Sequence, residues 1–129
     1  MSTTQPIRSK QLLHDFKEYY FTKQPNSRNY TLILIGLNTA LRINDILHLT
    51  WGDVYCTEHS RFYTHLLITE KKTEKETRIL INRELQETLL SYRKTQSAVT
   101  DTDYLFPSPR KAASPLSRYQ AYRIVRKAA

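Results

Sequence analysis

The sequence predicts a mainly helical α+β domain, in which helices pack around a small antiparallel sheet of two to three strands. Apolar residues recur at helical spacing on both sides of the middle of the chain. Between them, residues 53–81 are rich in β-branched and aromatic residues, which favour strands. The 129 residues suit one domain with one core. We therefore expect residues 1–8 to form a disordered lead and residues 9–129 to form a single domain.

A first predicted helix begins after Ser9, a residue type that caps helix N-termini, and ends near Thr22. Helical spacing gives it one apolar face, which we expect to be buried. That face consists of Leu12, Leu13, Phe16, Tyr19 and Tyr20.

Two further helices are predicted before the middle of the chain. Either Asn26 or Ser27 can cap the second helix. Residues 28–40 are apolar nearly all round, which predicts a buried central helix. Asn44 is then expected to cap a short helix over residues 45–49.

Three strand-like stretches follow, over residues 53–57, 61–69 and 77–81. The polar run over residues 70–76 contains neither Gly nor Pro, yet it separates the last two stretches. We therefore expect an antiparallel pairing with a charged hairpin tip.

The C-terminal part of the chain predicts two helices joined by irregular segments. Asn82 can cap a helix that ends near Thr95, and residues 104–106 form a short apolar anchor. Ser117 and Gln120 match a capping box that opens the last helix. Three residues of that helix have the spacing of a packing stripe, namely Tyr119, Tyr122 and Val125.

The charge is strongly basic and unevenly placed. The chain has 20 Lys and Arg against 12 Asp and Glu, which gives a net charge of +8. All the acidic residues lie at or before Asp103, so residues 104–129 carry basic residues and no acidic ones. A segment of one sign needs a polyanion to offset its self-repulsion. Nucleic acid is the first candidate, and an acidic membrane or protein is the second.

Several classes of protein are excluded by missing features. No apolar run is long enough for a membrane span, and the N-terminus lacks the apolar stretch of a signal peptide. A single cysteine excludes an internal disulfide and suits a reducing compartment. Cys56, His59 and His65 form a metal-like group without a fourth ligand, so we expect no metal site. Gly-rich phosphate loops and hydrolase motifs are missing too, and we expect neither a cofactor nor a small-molecule substrate.

Arg42 is the most unusual residue, because it lies between two apolar segments. One interpretation is a half-buried ion pair with Asp45 that fastens two helices together. Another is a guanidinium fork held ready for a phosphate, with Asp45 steadying the fork or its turn. A third is the recognition helix of a helix-turn-helix, although it would offer few polar side chains for reading bases: Asn44, Asp45 and His48.

Lys71, Lys72 and Lys75 alternate with glutamates at the predicted hairpin tip. Such a run is usually a solvated turn whose charges cancel. The alternative is that Lys72 reaches over a backbone phosphate and donates a proton to a leaving oxygen.

Three blocks of sequence, in order, resemble the catalytic domain of tyrosine recombinases, the phage integrase family. The resemblance runs from about Ile7 to Ala129. The block LNTALRINDILHLTWGDV is similar to the family block that contains its first catalytic arginine, which corresponds to Arg42. Asp45 corresponds to the supporting acid of that block, a position where Glu is commoner. The block ITEKKTEKETRILIN implies a catalytic lysine at Lys72, with Lys71 as the fallback. The block DYLFPSPRKAASPLSRYQAYRIVRKAA is similar to the segment before the family's second catalytic box.

The resemblance implies that a tyrosine of the whole enzyme attacks a DNA phosphodiester and forms a phosphotyrosine intermediate, without metal or cofactor. Arg42 would then bind the scissile phosphate, and Lys72 would protonate the leaving oxygen. The partner would be double-stranded DNA, and self-association is expected because recombinases act as oligomers. A bacterial or phage-derived protein of the cytoplasm would fit. DNA contacts are expected from the basic residues Lys71, Lys75, Arg110, Lys111 and Arg118.

One departure from the family pattern is large. No His-x-x-Arg box follows Lys72 in the 129 residues, and the nucleophilic tyrosine that comes after that box is also missing. We therefore expect the N-terminal part of a catalytic domain, truncated, that does not cleave DNA by itself. The alternative is a DNA-binding or regulatory module without catalytic ancestry.

Overall fold

The computed structural model describes residues 10–69, 73–111 and 113–129. Its first helix, α1 (Lys10–Glu18), continues into a π-helical turn over Tyr19–Lys23. The predicted extent of this helix is confirmed, but its predicted buried face is only partly so. Tyr20 is buried, whereas Leu12 and Leu13 are exposed. None of the residues of α1 is buried, and the buried Tyr20 lies in the π-helical turn that follows.

The central helix, α2 (Ser27–Thr39), is buried as predicted. Its N-cap is Asn26, whose side chain accepts a hydrogen bond from the Asn29 N–H at 2.9 Å. Residues 31–35 are all buried, and α2 packs against the next long helix of the chain, α5 (Arg83–Lys94). The core is thus built around α2.

Two short helices follow: α3 (Ile43–Leu47) and α4 (Trp51–Val54). The prediction that Asn44 caps the first of them is wrong. The helix begins before that residue, because the Arg42 carbonyl already accepts its first backbone hydrogen bonds. α4 begins with a capping box in which Thr50 and Asp53 satisfy each other's backbone N–H groups.

Four strands are described: β1 (Tyr55–Cys56), β2 (Arg61–Phe62), β3 (His65–Thr69) and β4 (Glu76–Leu80). Within the described residues they pair as two separate antiparallel ladders, β1 with β2 and β3 with β4, instead of one sheet. The longer ladder pairs His65 with Leu80 at one end and Thr69 with Glu76 at the other. The mainly helical α+β class is confirmed, while residues 70–72 of the predicted hairpin tip lie outside the described residues.

The last part of the fold contains α5 and α6 (Arg118–Ala128). Both predicted N-caps are confirmed, Asn82 for α5 and the Ser117–Gln120 capping box for α6. The predicted packing stripe on α6 is wrong for its two tyrosines, since Tyr119 is 68% exposed and Tyr122 is 45% exposed. The helix instead turns another face to the core, formed by Ala121, Ile124 and Ala128.

Three contacts between side chains join different parts of the fold. In the core, the ring of Tyr92 lies between those of Trp51 and Phe106, with centroids at 5.5 and 6.1 Å. At the surface, Lys17 of α1 bonds to Glu84 of α5 at 2.6 Å, and this contact holds the pKa of Glu84 below its usual value. In the described parts of the chain, no helix has the length and apolar character that crossing a membrane requires.

Candidate active site

A sharp turn between α2 and α3 positions Arg42. Ala40 ends α2 with a φ of 56°, the left-handed conformation, and its N–H donates to the Gly36 carbonyl at 3.3 Å. The carbonyl of Arg42 then accepts the N–H groups of Asp45 at 3.0 Å and Ile46 at 3.1 Å. Backbone hydrogen bonds on both sides therefore fix the position of Arg42 without using its side chain.

The side chain of Arg42 is exposed. Over the described ranges, its guanidinium forms no ion pair and no hydrogen bond, and none joins it to the half-buried Asp45. The interpretation of a half-buried Arg42–Asp45 pair that fastens two helices is therefore wrong. The charged group of Arg42 is left free to bind a ligand from solvent.

Other predicted site residues lie on the surface near three elements of the fold. Lys75 precedes β4, Arg110 and Lys111 lie in the loop before α6, and Arg118 begins α6; all four are exposed. Lys71 and Lys72 lie outside the described residues. The loop with the two cations is braced by Ser108, whose hydroxyl accepts both of their backbone N–H groups at 3.2 and 3.3 Å.

The two short helices pack against elements that are next to predicted site residues in the chain. α3, which follows Arg42 directly, packs against α6, the helix that Arg118 begins. α4 packs against β3, the strand that precedes residues 70–72. Through α3, the arginine turn is therefore packed against the helix that Arg118 begins.

A second group of basic residues was not predicted as a site. Arg28, Arg123, Arg126 and Lys127 line one cavity, although Arg28 is 95 positions before Arg123 in the chain. The basic C-terminal segment was visible in the composition, but nothing local in the sequence links Arg28 to it. Among the described residues, no three His, Cys, Asp or Glu side chains are grouped so that they could hold a metal ion.

Comparison with known proteins decides the family. A model of the phage integrase family matches residues 4–129 of the chain. The chain belongs to the phage integrase family. One curated family relative, the probable integrase/recombinase YoeC of Bacillus subtilis (strain 168), is 42% identical over 129 residues. That match covers 100% of the chain and 65% of YoeC, so the chain spans just under two thirds of the length of this relative.

Solved integrase structures share the fold. The structure of XerA recombinase superposes with a TM-score of 0.72 at 21% identity, over 99% of this chain and 42% of XerA. A lambda integrase bound to DNA gives a TM-score of 0.63 at 16% identity, over 93% of this chain and 40% of that one. At these identities the likeness concerns the fold, and it agrees with the mainly helical α+β class.

Proposed function

We propose that the chain is the DNA-binding part of a site-specific tyrosine recombinase, in which Arg42 binds the scissile phosphate. The observation that carries this proposal is the exposed guanidinium of Arg42, which has no partner among the described residues while its backbone is fixed. Arginine stays protonated in proteins, and its planar N–H groups match two oxygens of a phosphate. Membership of the phage integrase family supports DNA as the source of that phosphate.

In the whole protein, the proposed chemistry is breakage and rejoining of DNA through a phosphotyrosine intermediate. Arg42 would stabilise negative charge on the reacting phosphate, and its fixed backbone suits this role because preorganised donors need no rearrangement during the reaction. Lys72 would donate a proton to the leaving oxygen. Asp45, in the first turn of α3, would support the turn that holds Arg42 by compensating the positive end of this helix.

The remaining cations would bind the DNA backbone of the duplex. Exposed Lys and Arg side chains neutralise phosphates and release counterions, which positions the protein without reading the base sequence. The proposed contacts are Lys71, Lys75, Arg110, Lys111 and Arg118. The exposed Tyr119 and Tyr122 offer a surface for the self-association that recombinases use on DNA.

The test is to replace Arg42 with Ala and to measure both stability and DNA binding. A fluorescent duplex is titrated with wild type, Arg42→Ala, Arg42→Lys and the control Arg61→Ala, which removes an exposed cation from β2. Loss of one phosphate contact should make the negative slope of log K against log salt shallower by about 0.9 for Arg42→Ala. Arg42→Lys should keep most of the slope but bind more weakly, because it lacks the fork.

The melting temperature separates the other outcomes. Arg42→Ala should have the same melting temperature as wild type, since the replacement removes no side-chain contact with the described residues. If Arg42→Ala binds DNA as Arg61→Ala does, then Arg42 contributes no more than another exposed cation, as expected of a DNA-binding or regulatory module without catalytic ancestry. That result would contradict the role proposed for Arg42.

A further inference from the structure

The second group of cations lines a cavity of about 560 Å³ between α2, α6 and the loop before α6. We call it the basic pocket and define it by Arg28, Arg123, Arg126 and Lys127. Its Arg28 lies away from Arg42, because Arg28 is in the first turn of α2 while Arg42 follows the C-terminus of that helix. A helix of 13 residues is about 20 Å long. The two positions are therefore at opposite ends of the central helix.

The described residues around the basic pocket offer no negative charge that would neutralise its cations. No carboxylate is among the described residues that line it, and none of its four cations forms an ion pair in the described ranges. Arg28 is half-buried, and its Nε donates to the side-chain oxygen of Asn29 at 2.9 Å. This bond fixes the guanidinium while leaving its terminal N–H groups available.

Helix stabilisation explains only part of the cluster. Arg126 and Lys127 lie in the last turn of α6, where cations offset the negative end of the helix. Arg28 lies in the first turn of α2, where a cation is unfavourable and where α2 has no acidic residue. Bringing Arg28 to the cations of α6 therefore costs stability in the free protein, which an anionic ligand would offset.

The walls of the pocket are held in place by contacts behind it. The hydroxyl of Tyr20, which is buried, donates to the Ile124 carbonyl at 2.7 Å and ties the π-helical turn to α6. Asn26 caps α2 beside Arg28. The pocket is thus formed before any ligand arrives, and its volume falls in the range of small-molecule sites.

We propose that the basic pocket is a second anion site, which binds phosphate groups. Arg28 and Arg123 supply two guanidinium forks, which suit phosphate oxygens, while the exposed Arg126 and Lys127 add positive charge. The phosphate can come from the backbone of DNA or from a free phosphate compound such as a polyphosphate. This proposal does not depend on the role proposed for Arg42.

The test compares two charge-matched double variants of the full 129-residue chain. Arg28→Gln/Arg123→Gln removes the forks, whereas Arg61→Gln/Lys94→Gln removes two exposed cations from outside the pocket. Both control residues are exposed, and Lys94 lies in the last turn of α5 as Arg126 and Lys127 lie in the last turn of α6. Two probes are used. Binding of sodium tripolyphosphate is measured by the rise in melting temperature, and binding of a fluorescent duplex is measured at several salt concentrations.

We expect tripolyphosphate at ten times its dissociation constant to raise the melting temperature of wild type and of the control by about 5 °C. The pocket variant should lose this shift. If the DNA backbone fills the pocket, the negative salt slope of duplex binding also becomes shallower by about 1.8 relative to the control. An unchanged slope together with a lost shift identifies a free phosphate compound as the ligand.

The proposal is overturned if the pocket variant and the control show equal tripolyphosphate shifts and equal salt slopes. Should Arg28→Gln/Arg123→Gln fail to fold, Arg126→Gln/Lys127→Gln serves instead, since both of its side chains are exposed. Arg42→Ala should keep the full tripolyphosphate shift. The experiment therefore distinguishes a wrong proposal for Arg42 from a wrong proposal for the basic pocket.

Discussion

The two glycines of the chain should respond in opposite directions to replacement by Ala. Gly52 lies in α4, where the Cβ of an alanine would be 2.9 Å from the carbonyl oxygen of Asp101 and 3.1 Å from its Cβ. Gly36 lies in α2, where a Cβ would meet only the Ile46 side chain, at an ordinary 4.0 Å. Both positions are helical, so replacing Gly with Ala increases helix propensity at each of them.

Relieving the close contact at residue 52 would cost stability. The Gly52 N–H donates to the Asp101 carbonyl at 2.9 Å, and the preceding Trp51 N–H donates to the Asp103 carbonyl at 2.9 Å. A side chain on residue 52 must push this loop away and weaken both bonds. Overpacking costs about 1–3 kcal/mol, against a helix-propensity gain of about 0.5–1 kcal/mol. We expect Gly52→Ala to lose about 1–2 kcal/mol and Gly36→Ala to gain about 0.5–1 kcal/mol.

Urea titration followed by circular dichroism gives both values, with Gly36→Ala as the matched control. The expected gap between the two variants is about 2 kcal/mol. It corresponds to about 8 °C in melting temperature for a domain of this size. If Gly52→Ala were as stable as Gly36→Ala, the close packing of loop and helix described above would be wrong.

Two further replacements test the backbone turn and the core. Ala40→Gly should stabilise the protein by about 0.5–1 kcal/mol, because the left-handed conformation strains any residue with a Cβ; thermal melting measures it, and a loss of stability would contradict the described turn. Burial raises the pKa of Tyr92 to about 12, against 10.0 for a free tyrosine. The folded state therefore favours the protonated phenol, so this contribution to stability is complete below about pH 10 and is lost as the pH rises towards about 12. Tyr92→Phe should cost about 1–2 kcal/mol at neutral pH, since the Leu105 carbonyl loses the hydroxyl that donates to it at 2.5 Å. It should also flatten the alkaline decline of the urea midpoint; an equally steep decline in both proteins would count against Tyr92 as its source.

Helix starts were the part of the fold that could be predicted best. Asn82 and Ser117 cap helices in the structure as predicted, and of the two candidates Asn26 and Ser27 it is Asn26 that caps α2. Such starts can be predicted because a cap is a hydrogen bond between residues three positions apart. Asn44 has the right chemistry for a cap, but the turn at Ala40 sets an earlier start for α3. Residue preference alone therefore does not predict a helix start that is set by a neighbouring turn.

Long-range packing was the part that sequence patterns missed. Tyr119 and Tyr122 have helical spacing, yet the core selects the face of α6 with Ala121 and Ile124 instead. Periodicity shows that a helix has faces, but the choice between them depends on what packs against it. The split of the strands into two ladders is non-local in the same way.

The candidate site divides along the same line. The motif around Arg42 predicted the residue, whereas only the fold shows that its side chain forms no ion pair with Asp45. The basic pocket could not be predicted at all, because Arg28 joins the cations of α6 only through the fold.

Trp51 gives the protein a built-in optical reporter. It is the only tryptophan in the chain and is 1% exposed. The guanidinium of Arg93 lies 5.2 Å from the centroid of its ring and 4.0 Å from that of Tyr55. Tryptophan fluorescence therefore originates from one known place, the junction of α4, β1 and α5. Any red shift in its emission marks the entry of water at that junction, nine residues along the chain from Arg42.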